Sequence, residues 1–256
     1  MQAGRIVDTV KLLLLAVLQG ITEFLPISSS GHLVIFKHLL GIASPGASLE
    51  VALHIGTLLS VLVFFRRRLL RLFTVERRFI LYLIVGSIPA AIVGFLLKGR
   101  IEALFSSPFS ASLLLIFTGI VLLLTRLVKE GSRSVGSISA LLVGIGQAVA
   151  ILPGVSRSGM TISTAGFLGV KRDDALYFAF LLFIPACLGA AVLELPGMGA
   201  DFFSVGVLSS ILVSFIVGYI ALRILKAVLL SGKFYLFGIY CVLAGLASSL
   251  YFGGIK

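Results

Sequence analysis

Long apolar runs alternate along the chain with short polar breaks, a rhythm that predicts helices crossing a bilayer. Six runs, at 49–65, 79–97, 110–127, 175–195, about 202–225 and 234–252, come near the roughly 20 residues that span a hydrocarbon core as helix. Pro89 and Pro185 lie inside two of them. Two further segment pairs differ. Residues 8–25 and 31–40 flank Pro26 and a run of serines, and 137–152 and 161–169 flank Pro153-Gly154. Each segment is too short or too polar to cross alone. Each pair therefore reads as a re-entrant pair of half-helices, because irregular backbone at membrane depth is tolerated only where it is buried in protein or lines a cavity.

The order is one re-entrant pair and three spans, twice. That predicts an all-α integral membrane protein with six transmembrane helices and two re-entrant pairs in a single membrane domain, repeat one at about 1–130 and repeat two at about 131–256. An odd number of crossings per repeat turns the second copy upside down. Weak echoes agree at offsets of about 119 to 128 residues, among them Ala52-Leu53 with Ala175-Leu176 and Ile92-Val93-Gly94-Phe95 with Ile216-Val217-Gly218-Tyr219. The two tips are expected to enter from opposite faces and meet near mid-membrane.

Composition excludes a soluble fold: 59% of residues are hydrophobic, 12% are charged and the mean hydropathy is +1.18, which leaves too little polar surface. The alternating pattern of an outer-membrane barrel is absent. A net charge of +11 raises nucleic acid as a partner, but the basic residues sit in short loops between spans, where orientation and anionic lipid account for them. Six arginines in 66–78 and the basic loop 129–137 place those loops in the cytoplasm. The loops 98–109 and 196–200 and both chain ends are then outside. Cys187 and Cys241 lie in separate apolar segments and read as small core residues. The run 12–18 is short, is followed by Gln19 and Glu23 and lacks a small-x-small cleavage site, so the N-terminus reads as part of the mature fold.

Chemistry concentrates in the two breaks. The first, Gln19 to His32, brings Gln19 and Glu23 onto one helix face before Pro26, then Ser28, Ser29, Ser30, Gly31 and His32. The second runs Gly146-Gln147 to Pro153-Gly154-Val155-Ser156-Arg157-Ser158-Gly159-Met160-Thr161. A glutamate and an arginine at membrane depth are costly unless paired or hydrated, which makes function the default reading and a structural ion pair the alternative. The serines and Thr161 are donors for anionic oxygens, glycines at 31, 154 and 159 allow backbone amides close approach, and each loop opens a half-helix whose N-terminus favours an anion. Arg157 adds a planar fork suited to phosphate. Gln19 and Glu23 are candidate ligands for Mg2+ or Ca2+, which take oxygen donors and complete their shell with phosphate and water. His32 is either a proton carrier or a hydrogen-bonding residue of the loop. Gln147 is expected to tether the second loop beside the substrate, Asp173-Asp174 to cap the helix from Ala175, Glu194 to be interfacial, and His38 and His54 to be packing or interfacial residues.

Gln19-x-x-x-Glu23 with Phe24-Leu25-Pro26-Ile27-Ser28-Ser29-Ser30-Gly31-His32, and Pro153 to Thr161, resemble the undecaprenyl-diphosphate phosphatase family, also called the bacitracin-resistance protein family. The similarity runs through most of the chain, including Glu50-Val51-Ala52-Leu53-His54-Ile55-Gly56-Thr57 and Ile88-Pro89-Ala90-Ala91. It implies a membrane enzyme that removes the terminal phosphate of undecaprenyl diphosphate, regenerating the carrier for cell-wall synthesis, with its site open to the outer face. It also implies that Glu23 and Arg157 are essential, that Ser29 is a candidate nucleophile and that a divalent metal is needed; Gln19 stands where the family admits Glu or Gln. In this reading Ser28, Ser30, Gly154, Ser156, Ser158, Thr161 and Gln147 bind substrate, and Ser29 and water both stay open as nucleophile. The expected partners are the lipid substrate and membrane lipid, without nucleic acid and with a homodimer left open. The rival reading is a polyprenyl-phosphate transporter, since inverted repeats with broken helices also build transporters.

Overall fold

The computed structural model describes residues 2–40, 47–194, 197 and 199–254. The first apolar run forms α1 (Gln2–Phe24), and the chain turns at Pro26 into α2 (Ser29–Leu40). Then come α3 (Ala47–Phe64), α4 (Arg66–Leu72), α5 (Arg77–Leu96), α6 (Lys98–Phe105) and α7 (Pro108–Leu124). The second half follows with α8 (Ser137–Val149), α9 (Arg157–Phe167), α10 (Arg172–Glu194), α11 (Val205–Leu230) and α12 (Leu236–Gly254). Five of these, α5, α7, α10, α11 and α12, are long and apolar enough to cross a membrane. A sixth span is reached only when α3 is counted with α4, which bends 77° away from it.

Four boundaries differ from the sequence reading. The first helix begins at Gln2, not near residue 8. The arginine-rich loop after α3 contains α4, and the 98–109 connection contains α6, because neither stretch holds a proline or glycine placed to stop a helix within it. Asp173 and Asp174 do not cap a helix from Ala175: α10 starts at Arg172 and both aspartates stand in its first turn. Arg68 donates to both carboxylates at 2.8 Å, and Lys226 lies 2.9 Å from Asp173. The side chain of Glu194 and residues 195, 196 and 198 of the next loop lie outside the described residues.

These ion pairs gather α4, the start of α10 and the end of α11 at one basic end of the bundle. The start of α8 is there too, since Arg133, shortly before it, donates to Gly169 O and accepts from Lys171 N in the segment that leads into α10. The pair α8 and α9 thus enters from the basic end. The pair α1 and α2 enters from the other: Leu12, Leu15 and Ala16 pack by Val213, and Gly20 meets Val217 and Gly218 deeper along α11. Helix contacts are close where residues are small, as where Gly119 of α7 faces Gly238 of α12, so that a Cβ on either would press on the other's carbonyl. An aromatic cluster fills the centre, with Phe24 edge-on to Phe180 and Phe183 at 5.5 and 5.9 Å. Outward-facing Leu81, Ile92 and Phe95 leave α5 almost wholly unburied, as a lipid-facing helix requires.

Candidate active site

The two breaks meet. A Cβ on Gly31 would come within 2.8 Å of Gly154 Cα, and one on Gly159 within 3.5 Å of Pro26 Cβ. The two turns are also built alike. Ser28 Oγ accepts the Gly31 N–H at 3.2 Å and lies 3.3 Å from Ser30 Oγ; Ser156 Oγ accepts the Gly159 N–H at 3.1 Å and lies 3.3 Å from Ser158 Oγ. Each serine so satisfies an otherwise orphaned amide at a half-helix N-terminus. Each turn also hangs from a long helix by a carbonyl: Thr118 of α7 donates to Gly154 O at 2.9 Å, and Cys241 of α12 donates to Pro26 O at 3.5 Å. Gly154 has φ +101°, open to glycine, and a Cβ there would strike Ala111 O. Ser28 takes φ +65° despite its side chain, held by the hydrogen bonds around it.

Functional side chains project from this frame. Ser29 Oγ donates to Glu23 Oε2 at 2.7 Å, and Gln19 Nε2 donates to the same oxygen at 2.9 Å. Arg157 NH1 stands 3.8 Å from Glu23 Oε1, too far for a hydrogen bond, and is buried without a partner; its guanidinium lies 5.3 Å from the Phe183 ring centroid. The glutamate side chain is 6% exposed and the arginine 33%, so the carboxylate is sunk and the arginine side chain is partly exposed although its NH1 is buried. An acid, a hydroxyl ready to lose its proton to that acid, and an underused cation thus share one spot.

Residues 12–247 match the family described as bacitracin resistance protein BacA. The chain is 42% identical to an undecaprenyl-diphosphatase of Desulforapulum autotrophicum, covering 91% of this chain and 95% of that one. It is 43% identical to undecaprenyl-diphosphatases of Rhodopirellula baltica and Thermotoga maritima, each over 93% of this chain and over 96% and 98% of theirs. The chain belongs to the BacA family.

This BacA-family chain brings Gln19, Glu23, Ser28, Ser29, Ser30, Gly154, Ser156, Arg157 and Ser158 to the meeting loops. Two expected residues are turned to other tasks. Thr161 Oγ1 donates to Arg157 O at 2.8 Å and braces the first turn of α9. His32 is buried, with Nδ1 2.9 Å from Ser28 O and Nε2 2.7 Å from Tyr240 Oη. A carbonyl only accepts, so Nδ1 carries the proton and Nε2 accepts from Tyr240. Among the described residues no hydrogen bond joins His32 to Ser29 or Glu23, so here it serves as a loop brace. Gln147 is buried with its Oε1 unpartnered, and its link to the loop runs through its own carbonyl, which accepts from Ala150 N at 3.1 Å. Thr118, Phe183, Tyr240 and Cys241 were missed by the sequence reading. Each is one residue in an apolar run, and only Thr118, a hydroxyl among leucines and phenylalanine, carried a readable signal.

A divalent cation would find an incomplete but suitable donor set. Gln19 Oε1 is buried and unpartnered beside the Glu23 carboxylate, and all nearby donors on the loop are oxygens. Among the described residues no cluster of three or more His, Cys, Asp or Glu exists, so the rest of any shell would be water and phosphate.

Proposed function

We propose that this protein hydrolyses undecaprenyl diphosphate to undecaprenyl phosphate and inorganic phosphate, returning the lipid carrier to cell-wall synthesis and thereby conferring bacitracin resistance. Family membership and the activity after which the relatives are named support the substrate. The carrying observation at the site is the 2.7 Å hydrogen bond from Ser29 to Glu23 beside the unpartnered guanidinium of Arg157. That hydrogen bond favours serine over water as nucleophile. Ser29 Oγ attacks the terminal phosphorus as its proton passes to Glu23; the bond from that phosphorus to the bridging oxygen breaks, and undecaprenyl phosphate leaves. The departing phosphate takes the proton from Glu23; water then attacks the phosphoserine with Glu23 again as base, and the proton it gains passes to Ser29 Oγ as the bond to phosphorus breaks, freeing phosphate. Arg157 and the amides of the two half-helix N-termini hold phosphoryl oxygens, stabilising charge as phosphoryl transfer demands. Gln19 and Glu23 would hold Mg2+ or Ca2+, which when bound offsets phosphate charge and orients the attacked phosphorus.

The architecture is an inverted repeat in this reading. The twinned turns, their suspension from α7 and α12, and the entry of the two pairs from opposite ends support it. The basic end is cytoplasmic by charge bias, and the site, which touches α7 at Ala111 and Thr118 rather than near its basic end at Leu124, opens outward. Single cysteines at Ser106, Gly199 and Gly254 should label with an impermeant reagent in intact cells and one at Ser132 should not. Labelling of Ser106 and Gly199 from opposite sides would remove this topology. Phosphate release from undecaprenyl diphosphate by the purified protein tests the function, since a transporter would release none.

A further inference from the structure

We propose that the basic end of the bundle holds a second phosphate site, for free phosphate or for a lipid headgroup that ends in a phosphate monoester. It is the cavity enclosed by α9, the start of α10, the segment after α7 and the turn after α11. Its existence does not depend on the hydrolytic reading above. The cavity measures about 50 Å³. At roughly 10–15 Å³ for each water-sized group, that is room for one phosphate and not for a nucleotide.

The wall is cationic. Lys129 and Arg172 both line it, and Lys129 is exposed and makes no ion pair among the described residues. Arg172 Nη1 lies 2.7 Å from Glu130 Oε2, on a side chain 54% exposed, and donates to Leu230 O at 3.4 Å. Arg172 Nη2 donates no hydrogen bond among the described residues. Gly232, also in the wall, has φ +76°, and a Cβ there would stand 3.3 Å from Nη2, so the glycine leaves the guanidinium uncovered. The two aspartates that follow Arg172 are held by Arg68 and Lys226. One carboxylate against two cations leaves the wall net positive, and a guanidinium edge beside an ammonium suits phosphate oxygens.

A buried hydroxyl completes the set. Ser163 lines the cavity from α9, is 1% exposed, and its Oγ has no hydrogen-bond partner. Thr161, one step earlier on the same helix, returns its hydroxyl proton to the carbonyl of Arg157 at 2.8 Å; Ser163 makes no such bond. Buried polar groups are nearly always paired, and a phosphate oxygen in the cavity would accept this proton. Ser163 is about 9 Å along α9 from Arg157 at 1.5 Å per residue, so the two phosphate positions share one half-helix without overlapping.

The test is equilibrium dialysis of labelled inorganic phosphate, and separately of a short-chain phosphatidic acid, against chelator-stripped wild type and Arg157→Ala protein in detergent. Both proteins should bind a phosphate group that depends on Lys129. Lys129→Gln should weaken that binding at least ~10-fold, the loss of one charge-assisted hydrogen bond. Ser163→Ala should weaken it ~5-fold with no fall in melting temperature, because its hydroxyl has no partner to lose. Binding of inorganic phosphate with both losses supports a free-phosphate site, and binding of phosphatidic acid alone with both losses supports a headgroup site. Binding of neither ligand by Arg157→Ala, or binding unchanged by Lys129→Gln and Ser163→Ala, would overturn the proposal. Neither of those results bears on hydrolysis, which phosphate release from undecaprenyl diphosphate tests separately.

Discussion

The two loops at the site share a scaffold and differ in cargo. Position for position, shifted by 128 residues, Ser28 corresponds to Ser156, Ser30 to Ser158, Gly31 to Gly159 and Gln19 to Gln147. The hydrogen bonds repeat to within 0.1 Å, from Gly31 N–H to Ser28 Oγ at 3.2 Å and from Gly159 N–H to Ser156 Oγ at 3.1 Å. Yet Ser29 stands where the other loop has Arg157, and Glu23 where it has Ile151. In the proposed mechanism the common part sets backbone amides against an anion, and the differing part decides which loop attacks and which one clamps.

Substitutions can break that division in order of effect. Ser29→Ala removes the attacking oxygen, and phosphate release should fall by ~10⁴-fold or more. A loss of only ~10²- to 10³-fold would make the serine a donor to an attacking water. Arg157→Ala should cost ~10³- to 10⁵-fold, the range of an arginine that stabilises phosphoryl transfer, with the protein still folded in detergent because its buried NH1 makes no hydrogen bond. Arg157→Lys should also fail, since a point charge does not reproduce the fork.

Smaller changes sharpen the comparison between the loops. Thr118→Val removes both hydroxyl bonds of the arginine loop, to Gly154 O and from Ser156 N, and should lower unfolding free energy by ~1–3 kcal/mol with an activity loss near tenfold. Cys241→Ala, at the matching place under the serine loop, removes only a weak S–H donor, and its shift in melting temperature should be the smaller of the two. Tyr240→Phe should cost least, a few-fold in turnover, because His32 keeps its bond to Ser28 O. Equal losses for Tyr240→Phe and Arg157→Ala would give His32 a direct part in the chemistry.

Much of this was readable before any coordinates, for physical reasons. Hydrophobic run length is set by the bilayer, so five of the six expected spans fall on α5, α7, α10, α11 and α12, and the sixth on α3 only when it is counted with the bent α4. Glu23 and Arg157 stood out because ionised groups are scarce in such runs. Contacts that depend on which apolar helix faces which were hidden. The lone hydroxyl in 113–119 marks Thr118 but not the loop 36 residues away that it holds, and nothing in 236–246 says that Tyr240 meets His32. Arg68 reads as one basic residue among six, and only the 77° bend of α4 brings it to Asp173 and Asp174.

The central claim is that Glu23, Ser29 and Arg157 form one hydrolytic centre, and phosphate release from undecaprenyl diphosphate by purified wild type and Glu23→Gln tests it most directly. Glu23→Gln keeps the shape and the Gln19 contact region but cannot take the Ser29 proton. Steady release by wild type and a loss of at least ~10²-fold in the variant, the lower bound for a general base, is the predicted result. No release by wild type, or equal release by both, would contradict it.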